Sequence, residues 1–203
     1  MKINAALLIV DVQNDFCPGG TLAVPEGDRV VEPLSRIAEY FAAAGLPVLA
    51  SRDWHPQETK HFKVFGGVWP AHCIQDSPGA AFHKDLRLPG ETLIITKGDS
   101  SDSDAYSAFA GKSYDGTCLG EILGALQVEQ LYVGGLATDY CVCSSALDAR
   151  AAGLAVTILT DAIAGVDVAA GDSKKALAVM KNAGVTFCTS AELINQMTGA
   201  PAQ

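Results

Sequence analysis

Basic residues are scarce in this chain. Its 14 Lys and Arg stand against 23 Asp and Glu, a formal net charge of −9. That balance argues against nucleic acid or an anionic membrane surface as a partner, since both are held by a basic face. No apolar run reaches the roughly 18 residues that a membrane span requires. The opening lacks the pattern of an export signal, because Met1–Asn4 leads straight into a short apolar run that Asp11 interrupts. None of the six cysteines (Cys17, Cys73, Cys118, Cys141, Cys143 and Cys188) stands in a CxxC spacing. Reduced thiols and a cytoplasmic location are therefore expected rather than a disulfide scaffold. None of these absences argues against a small uncharged substrate. The 203 residues are 49% apolar and 18% charged, which suits one compact domain over residues 1–203, as a monomer or a homo-oligomer.

Short apolar runs alternate with longer helical patterns, and that rhythm predicts an α/β fold with a mostly parallel sheet of about six strands and helices on both faces. The strand candidates are Ala5–Val12, Pro47–Arg52, Thr92–Lys97, Gln130–Leu136, Ala155–Thr160 and Val185–Thr189. Most are rich in Val, Ile and Leu without clean alternation, as strands buried on both faces should be. Helices are expected over Asp28–Ala44, Thr117–Leu126, Tyr140–Ala152, Ser173–Ala183 and Ala191–Met197, three of them stopped by Gly45, Gly153 and Gly184. Thr138 or Asp139 is the expected cap of the third. Residues 53–89 break the rhythm, and a long irregular stretch rich in His, Pro, Trp and Gly is expected to be functional.

In an open parallel sheet, ligands bind beyond the carboxyl ends of the strands. Four such ends carry chemistry here: Asp11, then Asp53 with His55, then Lys97, then a Gly134-Gly135 turn that leads to Cys141 at the start of a helix. A thiol at a helix N-terminus feels the positive end of the macrodipole, which favours thiolate, and the amides of that turn suit an oxyanion. A small buried core residue is the alternative for Cys141. Asp11 would take the thiol proton and hand it to a leaving amine, or else cap a neighbouring turn. Lys97 would hold Asp11 ionised and bias Cys141 toward thiolate, or else be a solvated surface residue.

Asp53, His55, His61 and His72 form a second cluster. Imidazole and carboxylate suit Zn²⁺, Fe²⁺ or Mn²⁺, and a site with three protein ligands keeps positions open. Solvated loop histidines are the alternative, and His83 has no partner in the pattern. Phe16 and Trp69 could wall a flat ring or simply pack in the core.

These residues resemble the nicotinamidase branch of the isochorismatase-like cysteine hydrolases over nearly the whole chain. The resemblance is carried by Leu8–Phe16, Arg52–His55, Trp69–Cys73, Lys97-Gly98 and Gly135–Val142. It implies a single-domain, Rossmann-type α/β fold with an Asp11–Lys97–Cys141 triad and one divalent metal held by Asp53, His55 and His72. His61 matches a ligand that only some members use. The resemblance also implies an oxyanion hole from the amides of Ala137 and Cys141, a cis peptide before Ala137, and a substrate pocket lined by Phe16, Leu22, Trp69 and Tyr106. The implied reaction converts nicotinamide and water to nicotinate and ammonia through a thioester on Cys141, with the metal orienting the pyridine ring. Pyrazinamide is an implied second substrate.

The nearest alternative is another small amide, handled by a related branch of the same superfamily. Isochorismatases would lack Cys141, and the carbamoyl-amide hydrolases have no need of the Asp53–His55–His72 cluster. A non-catalytic binding module gains nothing from a complete triad. A redox sensor would want a resolving cysteine close to Cys141, and Cys143 falls on another face of the helix.

Overall fold

The computed structural model describes residues 4–102 and 105–198; the ends of the expected domain, residues 1–3 and 199–203, lie outside the described residues. Six strands form one parallel sheet in the order β3-β2-β1-β4-β5-β6. They are β1 (Ala5–Val10), β2 (Val48–Asp53), β3 (Leu93–Lys97), β4 (Gln130–Leu136), β5 (Ala155–Ala164) and β6 (Thr186–Cys188). The helices are α1 (Val31–Ala43), α2 (Leu119–Ala125), α3 (Cys143–Ala151), α4 (Asp172–Asn182) and α5 (Ser190–Thr198). No described helix is long and apolar enough to cross a membrane.

Strand β1 is buried throughout, and its alternation feeds two cores. Leu7 and Ile9 pack with Leu34, Ile37 and Phe41 of α1 and Leu193 of α5. Ala6, Leu8 and Val10 face the other way, onto Leu119 and Leu123 of α2, Ala146 and Ala149 of α3, and Met180 of α4. The chain winds outward from β1 to β2 and β3, then crosses back to β4 on the other side of β1. This reversal opens a crevice at the carboxyl ends of β1 and β4, the usual ligand site of such sheets.

Three local differences from the sequence-based expectation bear on that crevice. Strand β1 stops at Val10 because Asp11 turns into the left-handed region at φ 50°. Strand β5 continues past the exposed pair Thr160-Asp161, which read as a strand end, and resumes as buried Ala162–Ala164 after a register irregularity against β4. Asp161 points out there to cap α5, accepting from Ser190 N at 2.8 Å and from its Oγ at 2.6 Å. The third expected helix opens instead with a π turn over Thr138–Val142, closed by Val142 N donating to Ala137 O at 3.1 Å. Neither expected residue caps it: the Asp139 carboxylate accepts from Val166 N at 2.9 Å and Asp167 N at 2.8 Å.

Glycine is required at one point of this framework. Gly135 sits at φ 126°, and a Cβ there would strike the Val10 backbone, so β4 can lie against β1 only with glycine in that place.

Candidate active site

Adjacent strand ends deliver the charged groups. Asp53 and Lys97 are register partners on β2 and β3, and Ser51 lies two residues before Asp53 on the same face. Lys97 is fully buried and reaches every acidic group around it. Its Nζ donates to Asp53 Oδ1 and, at 3.0 Å, to Ala105 O; it lies 2.9 Å from Asp11 Oδ2 and 3.6 Å from Cys141 Sγ. Asp11 is equally buried, and its other oxygen, Oδ1, accepts from Ser51 Oγ at 2.7 Å. A carboxylate oxygen of Asp11, one of Asp53 and the Cys141 Sγ all lie within 4.8 Å of one another.

The charges in this nest do not balance, since one ammonium faces two carboxylates. Burial opposes the charge on Lys97, yet Asp11 and Asp53 outweigh it and hold the ammonium well above its usual range. Burial also opposes charge on Asp53, but Lys97 and His55 carry its carboxyl below the ordinary range. Asp11 goes the other way: burial and the neighbouring Asp53 raise its pKa against the pull of Lys97. The Cys141 thiol is pushed well above its usual range by burial and the two carboxylates, with only Lys97 opposing. Lys97 supplies the expected pull toward thiolate, and burial with the two carboxylates opposes it. Lys97 is already engaged twice, so a free thiolate would leave the buried nest doubly negative.

The irregular segment after β2 carries three imidazoles to the side of this nest. One ring nitrogen from each of His55, His61 and His72 lies within 4.8 Å of the other two, and all three residues are buried. His55 Nδ1 is 2.9 Å from Gly98 O and His72 Nδ1 is 2.8 Å from Pro70 O. A carbonyl can only accept, so both Nδ1 atoms donate, and in a neutral ring the lone pair falls on Nε2. Burial lowers the His72 pKa to about 4, which keeps that ring neutral at pH 7. His55 Nε2 is buried without a hydrogen-bond partner among the described residues and sits 3.7 Å from Asp53 Oδ2. His61 stacks on His55 with ring centroids 4.5 Å apart. Three converging imidazoles, one with an orphaned nitrogen, fit a divalent cation of borderline softness. Asp53 belongs to both clusters, one oxygen on Lys97 and the other toward His55.

A small cavity, partly open to solvent, lies over both clusters. Phe16, Leu22, Trp69 and Tyr106 line it together with Asp53, His61, His72, Ala137 and Cys141. Trp69 Nε1 donates to Tyr106 Oη at 2.9 Å. Tyr140 meets Trp69 edge-on at 5.0 Å, making an aromatic wall. The Leu136–Ala137 peptide at the cavity edge is cis. His83 lies apart, beside Asn14, Cys17 and Lys84.

Several contributors escaped the sequence reading. Ser51 could have been found from its two-residue spacing to Asp53. Tyr140, Val24, Leu136 and Val166 also line the cavity, but as apolar or aromatic side chains they look like core. Gln13 is completely buried and bonds both backbone groups of Asp53, receiving from its N and donating to its O, each at 2.7 Å. It also donates to Ala80 O at 2.8 Å.

A family model described as the isochorismatase domain matches residues 5–192. The chain belongs to the isochorismatase family. One curated relative, a nicotinamidase from Escherichia coli (strain K12), is 39% identical over 92% of this chain and 95% of its own length. Among solved structures, a pyrazinamidase of Pyrococcus horikoshii in complex with zinc superposes with a TM-score of 0.84 at 40% identity, covering 92% of this chain and 99% of its own. A protein from L. infantum in complex with nicotinate gives a TM-score of 0.80 at 33% identity, covering 92% and 93%. The isochorismatase-like fold expected from the sequence is thus the fold observed, a single six-stranded parallel sheet between helices.

Proposed function

We propose that this family member is a nicotinamidase, converting nicotinamide and water to nicotinate and ammonia, with pyrazinamide as a second substrate. The observation that carries the reading is the buried thiol–carboxylate–ammonium nest beside three converging imidazoles, under an aromatic-walled cavity. The relatives that act as nicotinamidase and pyrazinamidase support it.

In this reading the ring lies between Phe16 and the wall of Trp69, Tyr106 and Tyr140, with its carboxamide over Cys141. Asp11 takes the thiol proton as sulfur attacks the amide carbon, a transfer that leaves the net charge of the nest unchanged. Negative charge on the carbonyl oxygen collects at the backbone amides of Ala137 and Cys141. The C–N bond then breaks as Asp11 returns the proton to nitrogen, releasing ammonia and leaving a thioester on Cys141. Asp11 next takes a proton from water as the water oxygen adds to the thioester carbon. The C–S bond breaks, nicotinate leaves, and the proton goes back to the thiol. Lys97 holds both carboxylates in place throughout. A divalent ion of the zinc, iron or manganese kind, held by His55, His61 and His72 with Asp53, would offer the pyridine nitrogen a coordination position and so orient the ring. We place the protein in the cytoplasm, where its free thiols stay reduced.

The test is steady-state ammonia release from nicotinamide, pyrazinamide and benzamide on one preparation. Benzamide has the shape of nicotinamide without the ring nitrogen, so its kcat/KM should fall by roughly a hundredfold or more, short of the largest such discriminations. No ammonia from nicotinamide would overturn the function; benzamide within a few fold would overturn the ring orientation.

A further inference from the structure

We propose that Asp15 is a positioning residue for the histidine cluster, because its carboxylate fixes the peptide that joins His72 to Cys73 and so sets where His72 stands. The inference rests on the metal reading above. Asp15 is buried, and its partners are backbone amides: Oδ2 accepts from Cys73 N at 2.7 Å and Oδ1 from Thr21 N at 3.2 Å. Gly79 packs so closely on this carboxylate that any Cβ there would run into it. The acid is thus seated in a shaped socket between the turn after β1 and the irregular segment.

What it holds is a strained residue. Cys73 stands at φ 45°, a left-handed conformation that a residue bearing Cβ rarely adopts. It is tied on both sides, since its C=O also accepts from His55 N at 2.8 Å. Two histidines of the cluster therefore meet at one residue. His55 is bonded to the carbonyl of Cys73, and His72 precedes its amide. The bond from His72 Nδ1 to Pro70 O fixes the ring against its own stretch of chain, while Asp15 fixes that stretch against the sheet. Without Asp15, residue 73 is free to relax to negative φ, and His72 would turn away from His55 and His61.

The experiment measures zinc dissociation constants by competition with a chromophoric chelator, on protein stripped of metal and reloaded. Wild-type protein should take up one ion per chain. Asp15→Asn is isosteric but can accept from only one of the two amides, presenting an NH₂ to the other. Its zinc affinity should fall about 10- to 100-fold, the range for partners that orient ligands, while the metal-free Tm moves by only a few degrees. Adding Cys73→Gly to Asp15→Asn should recover at least about threefold of that loss, because glycine takes positive φ without strain. A purely structural acid predicts no such recovery. In metal-free wild type, the Cys73 amide should be protected from hydrogen exchange, a reading that stands even where a variant does not fold. Unchanged zinc affinity in Asp15→Asn overturns the proposal, as does a double variant that binds no better, or rapid exchange at Cys73. Wild-type protein that binds no zinc removes the metal reading itself, and this inference with it.

Discussion

Lys97 stands buried between two carboxylates and a thiol, and the chemistry of the site follows from that imbalance. The nest carries one net negative charge with Cys141 protonated, so loss of the thiol proton to bulk solvent is opposed, whereas its transfer to Asp11 changes nothing overall. Burial raises the proton affinity of the base as well as that of the acid. Asp11→Asn keeps the shape and the bond from Ser51 but cannot accept that proton. We predict that its kcat/KM for nicotinamide falls at least about a hundredfold, the low end for loss of a general base. Cys141→Ala should retain less than about one part in a hundred, because the covalent route is gone. Folding of both proteins is checked by circular dichroism. Near-normal turnover in either would remove that residue from the role given to it. The pull of Lys97 on Cys141 is legible in the sequence. A helix start and a lysine are visible in the chain, but the burial that outweighs them is not.

Strand ends, turns and caps set how well each element holds its residue. The ends of β2 and β3 are legible to within a residue because buried parallel strands read as apolar runs, which Arg52-Asp53 and Lys97 close, whereas β1 ends two residues before its expected bound. The opening of α3 was less legible: a π turn and an α-helix draw on the same residues, and the deciding bond, Val142 N to Ala137 O, involves only backbone. Strand β5 misled for a similar reason. Thr160 and Asp161 face solvent in mid-strand, and two polar residues in a row look like an end. Gly135 is where the element framework touches the site, since β4 must lie against β1 to carry Ala137 and Cys141 over Asp11. Gly135→Ala places a methyl group into the Val10 backbone at a φ that disfavours any side chain. We predict a loss of at least about 2 kcal/mol in urea-induced unfolding, with activity falling in step. A variant as stable as the parent would mean that the two strands can part without penalty.

On the scale of the whole molecule, a rigid sheet carries an irregular segment that has little regular structure of its own. All three imidazoles belong to that segment, at positions 55, 61 and 72, and hydrogen bonds tie it to the strand ends and the turn after β1. Gln13 holds Asp53 and Ala80, Asp15 holds Cys73, and Trp54 N donates to Lys97 O at 3.0 Å. These ties could not be read from the sequence, because each joins groups tens of positions apart and ends on a backbone group. A divalent ion bound by His55, His61 and His72 would close the segment on itself. Anything that binds the folded chain and not the unfolded one stabilises it by mass action, by about 2.7 kcal/mol at a hundredfold excess over the dissociation constant. For a chain of this size, that corresponds to a rise in Tm of roughly 5–10 °C. The two cores on either side of β1 are built mostly from apolar side chains of the strands and helices, with Phe16 and Cys73 the members next to His72, so the sheet should not respond. We predict that removing metal with a chelator lowers Tm by this amount and leaves the far-ultraviolet circular dichroism unchanged. Faster amide exchange should be confined to residues 54–80, while β1 and β4 keep their protection. Exchange that quickens uniformly would mean that the ion supports the whole fold. An unchanged Tm with metal in large excess would mean that the folded chain does not bind the ion in preference to the unfolded one.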